Sequence, residues 1–438
     1  MVARAAGLGA APREHPANSV SEGAPLQTKL SVYVRLGAMM FLQYAIWGAW
    51  TPVMWSYVKG LGFSDYQAGL VFSALWLACI LAPFTGGQVA DRWMPSQWFL
   101  ALVHAAGAIV LYVMAGAQDF TPFIVLMGVY ALLYAPTLAV TNAVAFEHIE
   151  DREKEFGVIR VLGTLGWIVA GLMLTGMRSM TLTVEGRGDL LVLSAALSVL
   201  MAIVCLTLPH TPPKREADNP FAFVEAFKLL KDPHFLLFII IAFIVTTELQ
   251  FYYLPTSEYL EKQILIPQEQ VPAVMAIAQA CELIGMAILL PILLPRIGIR
   301  WALAIGVLAW PLRYIVFAFG TPDIKWAVLA SLGLHGIGYT FFFVVSFIYV
   351  DKVAPPNIRA SAQALVTLAT LGVGNFLGTF FTSWVMDFFR GPEGDVAWKW
   401  VFVVPCILTV ACAIAYLALF RDPRAAPDAK LPESAPAG

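Results

Sequence analysis

Charged residues are scarce in this sequence. Only 13% of its 438 residues are charged, while 59% are hydrophobic. A soluble domain carries about a quarter charged residues, so this composition excludes the ordinary soluble class. The formal net charge of −2 also leaves no basic excess of the kind that nucleic-acid binding requires. The composition therefore indicates an integral membrane protein surrounded by a lipid bilayer, with no nucleic-acid partner.

Motifs for catalysis and metal binding are missing as well. The sequence contains no HExxH, no GxSxG and no phosphate-binding loop of the G-x-x-x-x-G-K-[ST] type. A membrane enzyme and an ATP-driven pump are therefore disfavoured. The five cysteines lie in apolar segments without a CxxC pair, which is typical of free, packed thiols. We predict no cofactor and no metal site.

Long apolar runs, in contrast, are abundant. A membrane-spanning helix needs about 20 mostly apolar residues. Candidate spans fall at 32–57, 66–88, 97–116, 120–146, 157–177, 189–209, 235–259, 271–294, 300–319, 325–350, 359–387 and 398–420. The longest polar interruption, residues 211–234, divides these twelve helices into six and six.

The division into halves predicts an all-α membrane protein with the major facilitator fold. The predicted domains are a disordered N-terminal tail (1–30), two six-helix bundles (31–210 and 235–420) joined by a central loop (211–234), and a disordered C-terminal tail (421–438). One set of alternate loops, with both termini, collects about 17 Lys and Arg against about 7 on the other side, and the positive-inside rule makes that set cytoplasmic.

A faint internal repeat supports two related halves. Helix 4 and helix 10 align at three pairs of positions, namely Gly128 with Gly333, Tyr130 with His335 and Tyr134 with Tyr339. An Ile-Arg pair then opens the next helix in each half, with Arg160 in one and Arg359 in the other. Chance similarity between apolar helices is the alternative.

Polar residues recur on single faces of several apolar helices. They are Arg160, Thr164 and Trp167 on helix 5, Gln250 and Tyr253 on helix 7 with Glu248 nearby, Gln279 and Glu282 on helix 8, and His335 and Tyr339 on helix 10. Such residues usually face a bundle interior or a water-filled path. Snorkelling, interhelical hydrogen bonds and plain packing are the structural alternatives.

Glu282 is the hardest of these residues to explain structurally. A buried carboxylate without a cation either becomes protonated or finds a partner. Arg313 on helix 9 is a candidate partner for Glu282, or else forms an ion pair with another acid. The sequence leaves both possibilities open.

Two loops suggest gating elements. The loop after helix 2, GGQVADRW, resembles the major facilitator loop motif at Asp91 and Arg92, although the later glycine and basic positions of the motif are absent. The corresponding loop after helix 8, PRIGIRW, contains Arg296 and Arg300. Ordinary positive-inside anchoring is the alternative explanation for all four residues.

Several motifs in combination carry a family resemblance. They are FLQYAIWGAW (41–50), VADRW (89–93), YAPTLAVTN (134–142), IRVLGTLGW (159–167), LPHTPP (208–213), ELQ (248–250), the Q-x-x-E of helix 8, AWPLR (309–313) and IRASAQ (358–363). With them, residues 30–420 resemble the nucleoside:proton symporter family of the major facilitator superfamily, the NupG-like nucleoside permeases. The resemblance implies nucleoside import with a proton by alternating access in the bacterial inner membrane. We expect a monomer.

The resemblance also implies a central binding cavity. Carried over by position, its substrate-binding residues are Arg160, Thr164, Trp167, Gln250, Tyr253, Gln279, Glu282, His335 and Tyr339. Four of these residues differ from the family pattern. This chain has Trp167 where the family has Phe, Tyr253 where it has Asn, His335 where it has Tyr, and Tyr339 where it has Phe.

A further departure concerns proton coupling. Thr340 replaces an Asp of the family pattern, which leaves Glu282, Glu248 and His335 as candidates for the proton-coupling residue. Because so many cavity positions are changed, a carrier for a sugar or nucleobase, or a receptor that binds nucleoside without transporting it, stays open as an alternative.

Overall fold

The computed structural model describes residues 28–82, 93–150, 152–180, 188–213, 222–355 and 358–421. Nearly all of both predicted tails lies outside these residues, and so do Asp91 and Arg92 of the first predicted gating loop.

Helices make up almost all of the described residues. Ten helical stretches among them are long and apolar enough to cross a membrane. One of these, Val271–Ala318, has 48 residues and is broken at Gly298, where φ is 73° and ψ is 170°, so it contains two spans. Asp65–Leu81, a shorter apolar helix, completes a set of twelve. The predicted all-helical class with twelve spans is confirmed.

The helices are named in chain order. They are α1 (Leu30–Gly60), α2 (Asp65–Leu81), α3 (Ser96–Ala115), α4 (Phe120–His148), α5 (Arg152–Met180), α6 (Asp189–Leu206), α7 (Pro233–Lys262), α8 (271–297), α9 (299–318), α10 (Pro322–Val353), α11 (Ser361–Phe388) and α12 (Trp398–Leu419). Their bounds lie close to the predicted spans.

Local capping fixes where individual helices begin. Gln67 N–H donates to Ser64 Oγ (3.1 Å) and Ser64 N–H donates to Gln67 Oε1 (2.9 Å), which together form a capping box before α2. At the start of α7, the Asp232 carboxylate accepts from the main-chain N–H groups of His234 and Phe235. These side chains satisfy amide groups that have no partner within the helix.

Three helices of the second half contain a π-helical turn. These turns are Gly285–Leu289 in α8, Tyr339–Val344 in α10 and Leu368–Gly374 in α11. A π turn holds one more residue than an α turn, so it rotates the following residues around the helix axis, and such turns are frequent at functional sites.

The two halves meet along two helix pairs, α2 with α11 and α5 with α8. At the end of the molecule opposite the termini, buried charges join them. Arg390, in the turn after α11, donates to both carboxylate oxygens of Asp65 (2.6 and 2.8 Å) and of Glu258 (3.0 and 3.0 Å). Lys59 pairs with Asp65 (2.9 Å), and Trp55 Nε1 donates to Glu258 (2.8 Å). We call these five residues the interhalf network.

Candidate functional site

A central cavity with an empty volume of about 810 Å³ lies between the two halves. Its wall is built from α1, α2 and α5 of the first half and from α7, α8, α10 and α11 of the second. Seven of the nine predicted substrate-binding residues line it: Arg160, Thr164, Trp167, Tyr253, Gln279, Glu282 and Tyr339. Folding thus brings together side chains that lie far apart in the sequence.

Arg160 lies in the cavity wall on α5. Its Cζ stands 4.1 Å from the centroid of the Tyr44 ring, which is a cation–π geometry. Gly163 makes room for this stacking, because a Cβ at that position would lie 2.7 Å from Tyr44 Cδ2. Within the described residues, no carboxylate lies within 4 Å of the guanidinium. Its hydrogen-bond donors therefore remain free for a ligand.

Aromatic rings form one side of the cavity. Trp47 packs edge-to-face on Trp167, with centroids 5.4 Å apart, and on Trp76 at 5.9 Å. Trp47 Nε1 is buried and has no hydrogen-bond partner among the described residues. Such rings offer flat apolar surface with an edge that can donate a hydrogen bond, which suits a planar ligand.

The neighbouring helix α8, which packs against α5, contributes Gln279 and Glu282, both buried at the cavity wall. The Glu282 carboxylate has no ion-pair partner within 4 Å in the described part of the chain. Thr340, which stands where the resemblance expects an acid, donates to the main-chain oxygen of Glu282 (3.4 Å). Glu282 is therefore the acidic group of the cavity.

Two of the predicted residues, one on α7 and one on α10, do not line this cavity. Gln250 is fully buried behind the wall, where its Nε2 donates to Asn375 Oδ1 (2.7 Å). His335 is also fully buried, and its Nδ1 accepts from Arg313 Nη1 (3.2 Å). Residues three or four apart on a helix point in similar but different directions, and here α11 and α9 cover one of each pair.

His335 belongs to a buried charged group behind the cavity. We call Glu248, Arg313, Tyr314 and His335 the rear cluster. Arg313 donates to the Tyr314 hydroxyl (3.0 Å) and stacks against Tyr252, and Tyr314 in turn donates to the main-chain oxygen of Glu248. Both carboxylate oxygens of Glu248 are buried without a hydrogen-bond partner in the described residues. Arg313 thus contacts His335, and the alternative that it pairs with Glu282 does not hold.

The predicted gating residues of the second half, Arg296 and Arg300, lie at the junction of α8 and α9. Arg300 Nη2 donates to the main-chain oxygen of Leu417 near the end of α12 (3.2 Å). Arg296 is exposed at the end of α8. Among the described residues, neither side chain bridges the halves in this conformation.

Ten residues of the cavity wall were not predicted from the sequence, among them Tyr44, Trp47, Trp76 and Asn375. The three aromatic residues lie in apolar runs, where packing explains them equally well. Asn375 could have been recognised in the sequence as a candidate, because a side-chain amide within an apolar helix requires a hydrogen-bond partner.

The whole helical part of the chain matches a known family. Residues 30–425 match the family model described as "Nucleoside H+ symporter". The chain belongs to this nucleoside H+ symporter family. Among its relatives are the putative nucleoside transporter YegT of Escherichia coli, 32% identical over 89% of this chain and 93% of the relative, and the nucleoside permease NupG of the same organism, 29% identical over 90% and 96%.

Solved structures agree with the family assignment. The crystal structure of nucleoside transporter NupG has a TM-score of 0.79 at 28% identity, covering 89% of this chain and all but 1% of that one. The D-xylose-proton symporter, at 14% identity and a TM-score of 0.68, is similar in fold alone. The predicted major facilitator fold and family are confirmed, and the relatives of this family member are transporters and not enzymes.

Proposed function

We propose that this protein imports nucleosides together with protons by alternating access. Membership of the nucleoside H+ symporter family and similarity to the putative nucleoside transporter YegT and the nucleoside permease NupG support the proposal. The observation that carries it is the central cavity, to which both halves contribute residues of the predicted set. A ligand that contacts both halves can couple its binding to their relative movement.

The cavity chemistry suits a nucleoside. The side chains of Gln279, Glu282 and Arg160 supply the donors and acceptors that a ribose or a base edge requires. The rings of Trp47 and Trp167 offer stacking surface for a planar base. A sugar could form hydrogen bonds with these polar side chains, but it has no planar ring to stack on the two tryptophans.

Glu282 is the residue we assign to proton coupling. It is the acid that lines the cavity, so substrate occupancy and proton access act on the same carboxylate. Protonation from outside would neutralise it and favour substrate binding and the occluded state, and substrate release inside would follow deprotonation toward the cytoplasm. Glu248 and His335 of the rear cluster are the alternative coupling sites.

The interhalf network suggests the orientation of this conformation. It joins the halves at the end opposite the termini, where Asp65 and Glu258 are almost fully buried. We propose that this end faces the periplasm and that both termini are cytoplasmic in the bacterial inner membrane, in line with the distribution of Lys and Arg among the loops. The cavity would then exchange its ligand with the cytoplasm.

Uptake into proteoliposomes tests the function. Labelled uridine and adenosine are supplied outside, with and without an inward proton gradient, and unlabelled nucleosides, nucleobases and sugars serve as competitors. We expect gradient-driven accumulation that unlabelled nucleosides abolish and sugars leave unchanged. Competition by a sugar or a nucleobase in place of nucleosides would overturn the substrate assignment, and saturable uridine binding without net flux would indicate a receptor.

A further inference from the structure

The contact between α7 and α11 is unusually close. Gly374 and Gly378 lie one turn apart on the face of α11 that packs against α7. A Cβ at Gly378 would stand 2.6 Å from the main-chain oxygen of Thr247, and the Thr247 hydroxyl donates to the Gly374 oxygen (3.3 Å). The G-x-x-x-G motif therefore allows the two backbones to approach each other.

This approach brings two side-chain amides together. Gln250 Nε2 donates to Asn375 Oδ1 at 2.7 Å. The members of the pair differ in location, because Asn375 lines the central cavity whereas Gln250 is fully buried behind it. Gln250 Oε1 is buried and has no hydrogen-bond partner among the described residues. Gln250 reaches the cavity only through Asn375.

The hydrogen bond from Gln250 determines which end of the Asn375 amide is available to a ligand. Its Oδ1 is occupied by Gln250, and its Nδ2 makes one long hydrogen bond to the main-chain oxygen of Leu371 (3.4 Å). An amide nitrogen carries two hydrogens, so one donor remains. The π turn Leu368–Gly374 ends just before Asn375 and sets the direction of this side chain.

We propose that Asn375 binds the substrate by donating a hydrogen bond from Nδ2 to an acceptor oxygen of the nucleoside, and that Gln250 is the positioning residue that orients it. The inference rests on the proposed function, because the ligand is taken to be a nucleoside. The acceptor is a ribose hydroxyl oxygen or a carbonyl oxygen of the base. The alternative is that the two amides only join α7 to α11.

Variants of the pair separate these possibilities. Asn375→Asp keeps an oxygen for Gln250 but removes the donor, Asn375→Leu removes both, and Gln250→Leu removes only the orienting bond. Thr379→Val is the matched control, since Thr379 is buried one turn further along α11 and its hydroxyl bonds its own helix. Melting temperatures in detergent establish that each variant is folded.

Binding is measured by the quenching of intrinsic tryptophan fluorescence, using uridine and analogues that each lack one acceptor: the 2′-hydroxyl, the 3′-hydroxyl or a base carbonyl. We expect Asn375→Asp and Asn375→Leu to raise the Kd for uridine roughly tenfold or more, and Gln250→Leu about threefold. Thr379→Val should leave it unchanged. One analogue should lack the oxygen to which Asn375 Nδ2 donates. For this analogue, Asn375→Leu and wild type should have the same Kd.

Two outcomes would overturn the inference. In one, folded Asn375→Leu binds uridine as tightly as wild type. In the other, Asn375→Leu weakens uridine and every analogue by the same factor, which indicates a role in helix packing alone. Failure of the proposed function would be seen separately, as the absence of uridine binding by the wild-type protein.

Discussion

In the first half of the molecule α1, α3 and α4 meet in a neutral polar cluster, whereas the equivalent helices of the second half, α7, α9 and α10, meet in a charged one. In the first half, Gln43 Nε2 donates to Thr137 Oγ1 (2.7 Å) and Gln43 Oε1 accepts from His104 Nε2 (3.1 Å). The Tyr134 hydroxyl donates to the main-chain oxygen of Gln43 (2.6 Å). Both ends of the Gln43 amide are satisfied.

The second half differs at each of these helices. Glu248 on α7 has two buried carboxylate oxygens without partners within the described residues. Arg313 on α9 donates to His335 Nδ1 on α10, so that ring nitrogen carries no proton, and His335 Nε2 has no partner there either. The second half also contains the three π turns.

This difference in hydrogen bonding indicates that the first half is a rigid scaffold and that the second half is the adaptable region. A satisfied polar network makes the helices around it rigid. Buried ionisable groups with incomplete hydrogen bonding are costly, and membrane proteins retain them mainly where function uses them. We therefore assign to the second half the groups that change partners during transport, and to the first half the surface against which they move.

Removing Arg313 should have the largest effect. Arg313→Gln removes the donor to His335 Nδ1 and to the Tyr314 hydroxyl, and with it the cation whose charge acts on Glu248, so we expect a loss of about 2–4 kcal/mol of stability and no measurable uridine uptake. The double variant Glu248→Gln with Arg313→Gln should recover part of the stability. His104→Gln, at the equivalent helix of the first half, should cost only about 1 kcal/mol.

Melting temperatures in detergent and uptake into proteoliposomes check this expectation. The proposed contrast between the halves fails if Arg313→Gln is no less stable than His104→Gln. It also fails if the double variant melts no higher than the single one.

The two arginines aligned by the internal repeat should respond differently to the same substitution. Arg160 lies over Tyr44 in the cavity, whereas Arg359 pairs with Asp351 (3.3 Å) and is 42% exposed. Lysine reproduces the charge but not the flat guanidinium, so Arg160→Lys should raise the KM for uridine about tenfold. An exposed ion pair contributes little, so Arg359→Lys should change the KM less than about twofold. Equal KM values for the two variants would contradict this assignment.

Arg390→Gln should act on conformation as well as on stability, because Glu258 loses the cation that binds both of its carboxylate oxygens. The carboxylate partners of Arg390 keep other contacts, since Asp65 retains Lys59 and Glu258 retains Trp55. The conformation should change because the interhalf network loses its central cation and the halves separate more often at that end.

Disulfide cross-linking measures this separation. Ser56 and Ser257 hydrogen-bond across the halves at 2.9 Å, so both are replaced by Cys in a chain without its five native cysteines. Arg390→Gln should reduce the cross-linked fraction about two- to threefold, consistent with a shift of less than 1 kcal/mol. An unchanged fraction would mean that the network does not hold the halves together.

The fold was largely predictable from the sequence. Apolar length identifies membrane helices, because unpaired backbone groups are excluded from the bilayer. The break at Gly298 lies between Pro295 and Arg300, and it separates two apolar runs as predicted. The interhalf network was not predictable, because Arg390 and Asp65 are 325 residues apart and meet only through helix packing.

The candidate site was predictable in part. The polar stripe of α5 faces the cavity as its spacing indicates. Gln250 and His335 do not, because the rotation of a helix about its axis depends on its neighbours: Asn375 of α11 covers Gln250, and Arg313 of α9 covers His335. A regular period of 3.6 residues does not predict which neighbour covers a side chain.

The most direct test of proton-coupled transport through this cavity compares wild type with Glu282→Gln in proteoliposomes. Uridine accumulation under an inward proton gradient and uridine exchange without a gradient are measured side by side, with Glu393→Gln, an exposed acid in the loop before α12, as control. We expect Glu282→Gln to lose accumulation but retain exchange, while Glu393→Gln behaves as wild type. Accumulation by Glu282→Gln at the wild-type level would contradict the assignment of the coupled proton to the cavity.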